Sequence, residues 1–208
     1  MAASPDPSLD LARLAAALAR HEPRREPSVP DGRKAAVAAV ARDGAAGAEL
    51  LFIRRAEHPR DPWSGQMGLP GGRVDPGDAG PLATAIRETR EELALDLAAA
   101  GRLLGALSEA RTHLRLGRSP YSVAPFVFAI AGDPAFAPSA EVQEALWVPL
   151  AFLADPARRD SLTWVRRGVP LPMPCCRFEG RPIWGLTLRI VDELLAVAAQ
   201  NAPAKSTR

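Results

Sequence analysis

Residues 68–95, GLPGGRVDPGDAGPLATAIRETREELAL, constrain this chain more than any other stretch, because two opposed backbone demands meet there. Gly68-Leu69-Pro70-Gly71-Gly72 reads as a strand end entering a loop stripped of side chains, as required where something approaches the backbone closely. Asp75-Pro76-Gly77-Asp78 is a turn, and a helical pattern takes over from about Leu82. At about 100° per residue, Leu82, Ile86, Thr89 and Leu93 share one stripe expected to face a core. Glu88, Glu91 and Glu92 are expected on the opposite side, their carboxylates converging on one patch.

Like charges at that spacing destabilise a bare helix by a few tenths of a kcal/mol per pair, so the cluster needs a reason. A glutamate pair on a helix is ordinarily a solvated face. Here the upstream Gly-Gly loop and the preceding Arg87-Glu88 argue for ligands instead. Hard divalent cations such as Mg²⁺ or Mn²⁺ prefer oxygen donors and leave positions for water and substrate phosphates. Arg87, one turn before Glu91, is placed to orient that carboxylate.

A chain of 208 residues suits one domain with a sizeable core. A net charge of +2 is too mild to suggest nucleic-acid binding, and arginine abundance in an Arg- and Ala-rich chain is not in itself a basic site. No apolar run reaches membrane-spanning length. The acidic, proline-containing start lacks the charged and apolar regions of a signal peptide. The two cysteines, Cys175 and Cys176, are neighbours and read as reduced, which suits a cytoplasmic protein.

Along the chain, residues 1–7 read as disordered, and Ser8 is expected to cap a helix from Leu9 to about His21. Residues 22–32 form a linker arm. Residues 34–40 and 49–54 read as two strands joined by the loop at 43–47. Arg54, Arg55, His58 and Arg60 then form a basic run leading to the glycine loop, and guanidinium groups there suit a polyanionic substrate. Residues 101–107 and 121–130 are further strands, the second too densely apolar to be an edge. The intervening loop carries Glu109, Arg111, His113, Arg115 and Arg118, and His113 reads as a plain loop histidine. Residues 141–150 run from Glu141-Val142-Gln143-Glu144 into Leu146-Trp147-Val148-Pro149. Residues 150–154 start a short helix, and 162–165 and 176–178 read as strands around a Pro-rich turn. A last helix opens at Ile183-Trp184-Gly185-Leu186-Thr187, with Leu186, Ile190, Leu194 and Val197 inward, and a frayed tail begins at Asn201. No Gly-Lys-Ser/Thr follows the glycine loop and no Gly-x-Ser-x-Gly elbow occurs, which excludes a P-loop and leaves a serine hydrolase unsupported.

Gly72, Arg87-Glu88, Glu91-Glu92 and Leu95 together resemble the signature box of the Nudix hydrolases, which cleave nucleoside diphosphates linked to another moiety. Asp78 stands where the family's first acid is usually Glu, with one extra residue before Arg87. Ala94 replaces a glycine, and Thr89 a larger apolar residue. None of these changes removes a carboxylate of the helical trio. Within the family, the basic run, Leu69-Pro70-Gly71-Gly72 and the 183–187 helix entry resemble the coenzyme A pyrophosphatases, with a slightly longer spacing at Trp63-Ser64. The resemblance spans roughly residues 33–200.

That resemblance implies an α/β fold, a Nudix-type α/β/α sandwich with a mixed sheet and a loop-helix-loop motif. It implies Mg²⁺ or Mn²⁺ held by Glu88, Glu91 and Glu92, with Arg87 supporting them and Glu141 as a further ligand or base. Arg54, Arg55, Arg60, Gly71 and Gly72 would bind substrate. The implied reaction is hydrolysis of a phosphoanhydride in a small nucleotide, coenzyme A or an acyl-CoA foremost. ADP-ribose- or NADH-type substrates and a catalytically silent binding domain are the alternatives. Residues 1–32 would be an N-terminal helix and arm, 33–200 the hydrolase domain and 201–208 a tail. A homodimer is left open; neither nucleic acid nor membrane is expected as a partner.

Overall fold

The computed structural model describes residues 9–25, 33–58, 63–111, 121–166 and 168–200. Arg60, His113, Arg115 and Arg118 lie outside these residues, as do the segments expected to be disordered at 1–7 and from 201, and most of the linker arm.

The first helix, α1, runs Leu11–Leu18 and begins later than expected. Its cap is Asp10, whose carboxylate accepts from the Arg13 amide at 2.6 Å; Ser8, the expected cap, lies outside the described residues. Strands β1 (Arg33–Gly44) and β2 (Gly47–Arg55) form a hairpin whose register closes at Gly44 and Gly47. The loop expected at 43–47 is therefore a two-residue turn, because its glycines complete the ladders. Short strands β3 (Met67–Gly68) and β4 (Gly71–Arg73) follow, then helix α2 (Pro81–Leu93), helix α3 (Leu97–Ala100) and strands β5 (Gly101–Ala106), β6 (Ala110–Arg111), β7 (Tyr121–Ile130) and β8 (Val142–Pro149). Helix α4 (Leu150–Ala154) and a 3₁₀ turn, Pro156–Arg158, lead to β9 (Arg159–Arg166), β10 (Val169–Phe178), β11 (Arg181–Trp184) and the last helix, α5 (Gly185–Ala199).

Among the described residues, eight strands make one sheet in the order β3-β2-β1-β7-β5, with β4 on β1, β6 on β7 and β8 on β2. The sheet is mixed, since β1 and β7 are parallel while the other pairings are antiparallel. Both faces are covered, so β2 reads as an unbroken apolar run. Leu50 and Phe52 pack towards α1 and α5, whereas Leu51 and Ile53 pack towards α2. Alternation in β1 does the same with small residues: Ala36, Ala38 and Val40 face α2. Alanines there let the helix sit close to the sheet. The fold is the α/β/α sandwich that the sequence suggests.

The expected Pro-rich turn is instead strand β10, which pairs with β9 from Val169 to Cys176 and with β11 only from Cys175 onward. Pro170, Pro172 and Pro174 thus fall where β10 has a partner on one side. Alternate residues of an antiparallel strand direct their amides to opposite sides, so prolines of one parity can leave the β9 ladder intact. Among the described residues that other side has no partner strand, and a proline whose nitrogen faces it leaves no donor there to invite pairing. Cys175 and Cys176 are free, fully buried thiols, and burial pushes both above the ordinary thiol range.

Candidate active site

Helix α2 is held at its start by Asp78 rather than by a cap residue. Pro81 opens the first turn, where a missing amide costs nothing, and the Thr84 hydroxyl donates back to Asp78 at 2.7 Å. The helix ends at Ala94, whose φ of 56° places a residue with a Cβ in the left-handed region. Its inward face is Ala85, Thr89 and Glu92, at i, i+4 and i+7, with Thr84 and Leu93 beside them. Leu82 and Ile86, expected at the centre of the buried stripe, are half-buried at its flank.

This rotation divides the three glutamates instead of gathering them on one outer patch. Glu92 is buried at 3 % exposure, and its carboxylate accepts from the Gly71 amide at 2.9 Å. Glu88 is half-buried beside Gly72, where a Cβ would stand 2.4 Å from its carboxylate carbon. Glu91 is 55 % exposed and is held by Arg87, whose Nη1 donates to it at 2.9 Å. The split follows from the helix period: 85, 88 and 92 face the sheet, while 87 and 91 are neighbours on the outer side.

The two glycines serve different neighbours. Gly71 has φ +150°, and a Cβ there would meet the Ala36 carbonyl oxygen at 2.2 Å, because β4 lies directly against β1. Gly72 leaves room for the Glu88 carboxylate. Arg87 joins the parts: it donates to Asp78 through Nε and Nη2, to the Arg73 carbonyl at 3.0 Å, and lies 3.0 Å from Glu88. Those hydrogen bonds, with the Asp75 amide and the Thr84 hydroxyl, hold the Asp78 carboxyl well below the usual carboxylate range.

Electrostatically the inner acids are under tension. Burial pushes Glu92 up to about 8, against the opposing pull of the Gly71 amide and Arg55; the charges of Glu88 and Glu141 add to the rise. Glu88 is also raised, chiefly by burial and further by Glu91 and Glu141, while Arg87 opposes it. Glu141, exposed at the head of β8, thus acts on both acids through its charge. It is fixed from two directions: its carbonyl accepts from the Ala56 amide at 2.8 Å, and Ser139, whose hydroxyl accepts from the Glu141 amide at 3.3 Å, donates its own amide to the Glu92 carbonyl at 2.9 Å. A register shift between β2 and β8 at Arg54/Arg55 lies next to this loop, a common place for a strand to re-aim a side chain.

The basic run is not one cluster. Strand alternation sends Arg55 to the α2 side, where its Nη1 lies 3.8 Å from Glu92, and Arg54 to the other, where its Nε donates to the Gly65 carbonyl at 3.4 Å. Asp78 and Ser139 belong to the site and were not among its expected residues. Asp78 carried a signal, being the acid before the helix; Ser139 carried none, because its role is a contact between distant segments.

As they stand, no three carboxylate, imidazole or thiolate groups among the described residues enclose a metal ion. The donors nonetheless fit a hard cation. Mg²⁺ usually takes one or two carboxylates and fills its remaining positions with water and substrate phosphate. Glu88 and Glu92, flanking a glycine loop and within the field of Glu141, offer that set, whereas Glu91 would first have to leave Arg87.

Comparison with known proteins gives the following. The family model for the NUDIX domain matches residues 32–167. A protein of Yersinia pestis (strain Pestoides F) named "Uncharacterized Nudix hydrolase NudL" is 34 % identical over 146 residues, covering 70 % of each chain. Proteins of the same name from Yersinia pseudotuberculosis match equally. Among solved structures, the NUDIX domain of Shewanella oneidensis NrtR with ADP ribose aligns with a TM-score of 0.48 and 22 % identity, over 66 % of this chain and 83 % of that one. A C. elegans Ap4A hydrolase aligns with a TM-score of 0.45 and 24 % identity, over 57 % and 81 %.

Proposed function

This chain belongs to the Nudix family of hydrolases, and from that premise we propose that it hydrolyses the phosphoanhydride of coenzyme A or an acyl-CoA in the presence of Mg²⁺ or Mn²⁺. The observation that carries the chemistry is the placement of the Glu88 and Glu92 carboxylates against the backbone of Gly71-Gly72, with Arg55 beside Glu92 and the charge of Glu141 acting on both acids. A divalent cation, when bound, supplies charge neutralisation to the diphosphate and makes water a better nucleophile.

Each residue has a part in this reading. Glu88 and Glu92 hold the cation, and the bare Gly71-Gly72 backbone lets phosphate oxygens approach. Arg55 exchanges its carboxylate neighbour for a substrate phosphate, for which a guanidinium is well shaped. Arg87, tied to Asp78, orients Glu88 and Glu91. Glu141 accepts the proton of the attacking water. A new P–O bond forms to that water as the bridging P–O bond breaks, leaving phosphopantetheine and adenosine bisphosphate. Little covalent chemistry is asked of the protein; positioning and charge supply the rate. Arg54 and Arg60 are assigned to the substrate's remaining phosphate.

The test compares kcat/KM for coenzyme A, dephospho-coenzyme A, ADP-ribose and NADH with Mg²⁺ and with Mn²⁺. Coenzyme A should be the best substrate and dephospho-coenzyme A poorer, with all turnover lost in EDTA. A clear preference for ADP-ribose would overturn the substrate and leave the hydrolase chemistry standing. Binding without turnover under any metal would make the protein a silent relative.

A further inference from the structure

A cavity of ≈ 160 Å³ opens on the side of Gly71-Gly72 facing α5. Val37 and Val123 from the sheet, Leu69 from the loop, and Leu186, Thr187 and Ile190 from α5 form most of its wall. Its residues carry no charge and no aromatic ring. Sites that read a nucleobase normally stack it on an aromatic or guanidinium plane and bond its edge with polar side chains. No stacking plane is offered here, and Thr187 is the one polar side chain in the wall. The volume is also small against the ~300–1,000 Å³ of ordinary ligand pockets, which suits a slender part of a ligand. The polar groups in reach are backbone amides and the Thr187 hydroxyl, itself directed at the Met67 carbonyl at 3.4 Å.

We infer that this cavity receives the uncharged, amide-bearing arm of the substrate rather than its nucleoside, and that Leu186 and Thr187 on α5 determine which arms fit. The inference rests on the proposed function in two respects: the arm is that of coenzyme A, and it is joined to the diphosphate assigned to Gly71-Gly72, the two residues shared by the cavity and the acid site. A hydrocarbon wall favours a chain with few charges, and its amides can use the few polar groups present.

The experiment separates the two readings by using a probe with no bond to cleave. Pantetheine, which carries no phosphate, is titrated into the methyl-labelled full chain. It should shift the methyl signals of Val37, Val123, Leu186 and Ile190, whereas adenosine should leave them in place. In parallel, Leu186→Phe and Thr187→Leu, both at half-buried positions, should lower kcat/KM for coenzyme A about tenfold more than for ADP-ribose, mainly through KM. Adenosine moving those methyls, pantetheine moving none of them, or equal losses on both substrates would each overturn the inference. Pantetheine binding is decisive even if no nucleotide is turned over.

Discussion

Arg87 grips Asp78 through two parallel hydrogen bonds, Nε to Oδ1 and Nη2 to Oδ2, each 3.0 Å long. The same guanidinium also reaches Glu91 and the Arg73 carbonyl. A planar fork can satisfy these partners together; an ammonium on a flexible stem cannot. Arg87→Lys should therefore keep its charge and the fold yet reduce metal affinity and turnover by ~10–100-fold, the usual cost of losing a group that orients ligands. A metal titration together with steady-state kinetics checks it, and wild-type values for both would reject this role.

Asp78 makes the pair sensitive to acid. Arg87 holds its carboxyl below the ordinary range, so near and below about pH 4 the folded protein binds fewer protons there than the unfolded chain. The stabilisation is fully present above that pH and is lost as pH falls towards the folded value. Thermal melts between about pH 2.5 and 5 should show a shallower acid slope for Asp78→Asn than for wild type. An unchanged slope would mean other carboxylates govern acid unfolding.

Glu92 has the opposite sign. Its folded value of about 8 lies far above that of an exposed glutamate, so between about pH 5 and 8 the metal-free fold keeps a proton that the unfolded chain has released. Metal-free stability should fall as pH rises through that window, by an amount on the order of a few kcal/mol. Glu92→Gln can still accept from the Gly71 amide and should abolish the decline while lowering turnover on the order of 10²-fold. Melts in EDTA at pH 5.5 and 8 decide it: a Gln variant that loses stability like wild type would sink the assignment.

The strands, the helix and the sandwich were legible because they depend on local periodicity and on turn residues. Tyr121 to Ile130 announces a strand too densely apolar for an edge, and it lies between β1 and β5; Leu186, Ile190, Leu194 and Val197 announce a core helix. The rotation of α2 was not legible. Ile86-Thr89-Leu93 and Ala85-Thr89-Glu92 are equally good stripes by spacing, and hydrophobicity favours the first. What decides is Ala85, fully buried on the second core: its small side chain lets the helix settle close to β1, and that closeness buries Glu92. Adjacent arginines read as one cluster in a sequence, but Arg54 and Arg55 diverge as soon as they lie in a strand. Ser139 could not be found because its contact with Glu92 spans segments far apart in the chain.

Ala94 is a local conflict that can be tested alone. It occupies the left-handed position after α2 at φ 56°, with its amide bonded to the Arg90 carbonyl at 2.9 Å. That backbone costs a residue with a Cβ ~1–2 kcal/mol, against which glycine loses ~0.5–1 kcal/mol of unfolded-state entropy. Ala94→Gly should therefore be neutral to stabilising by up to about 1.5 kcal/mol, a rise in Tm of up to ~6 °C for a chain of this size. Calorimetry measures this directly, and a fall in Tm would contradict it.

The sharpest contrast is between neighbouring glycines. A methyl at Gly71 would collide with backbone, the Ala36 carbonyl oxygen at 2.2 Å and the Val37 Cα at 2.6 Å, and would occupy a φ of +150° that L residues avoid. Neither atom can yield without separating β4 from β1, so Gly71→Ala should destabilise the fold by roughly 3 kcal/mol or more. A methyl at Gly72 would meet only the far end of a flexible side chain, the Glu88 carboxylate, at 2.4–2.6 Å. Glu88 can swing aside at little cost in stability, but it would then no longer stand beside Gly72. Gly72→Ala should thus melt within ~1 kcal/mol of wild type and lose activity at least ~10-fold. Denaturant titrations and kcat/KM on both variants test the pair. If Gly72→Ala unfolds as readily as Gly71→Ala, or keeps full activity, then Gly72 is not there to make room for a working Glu88.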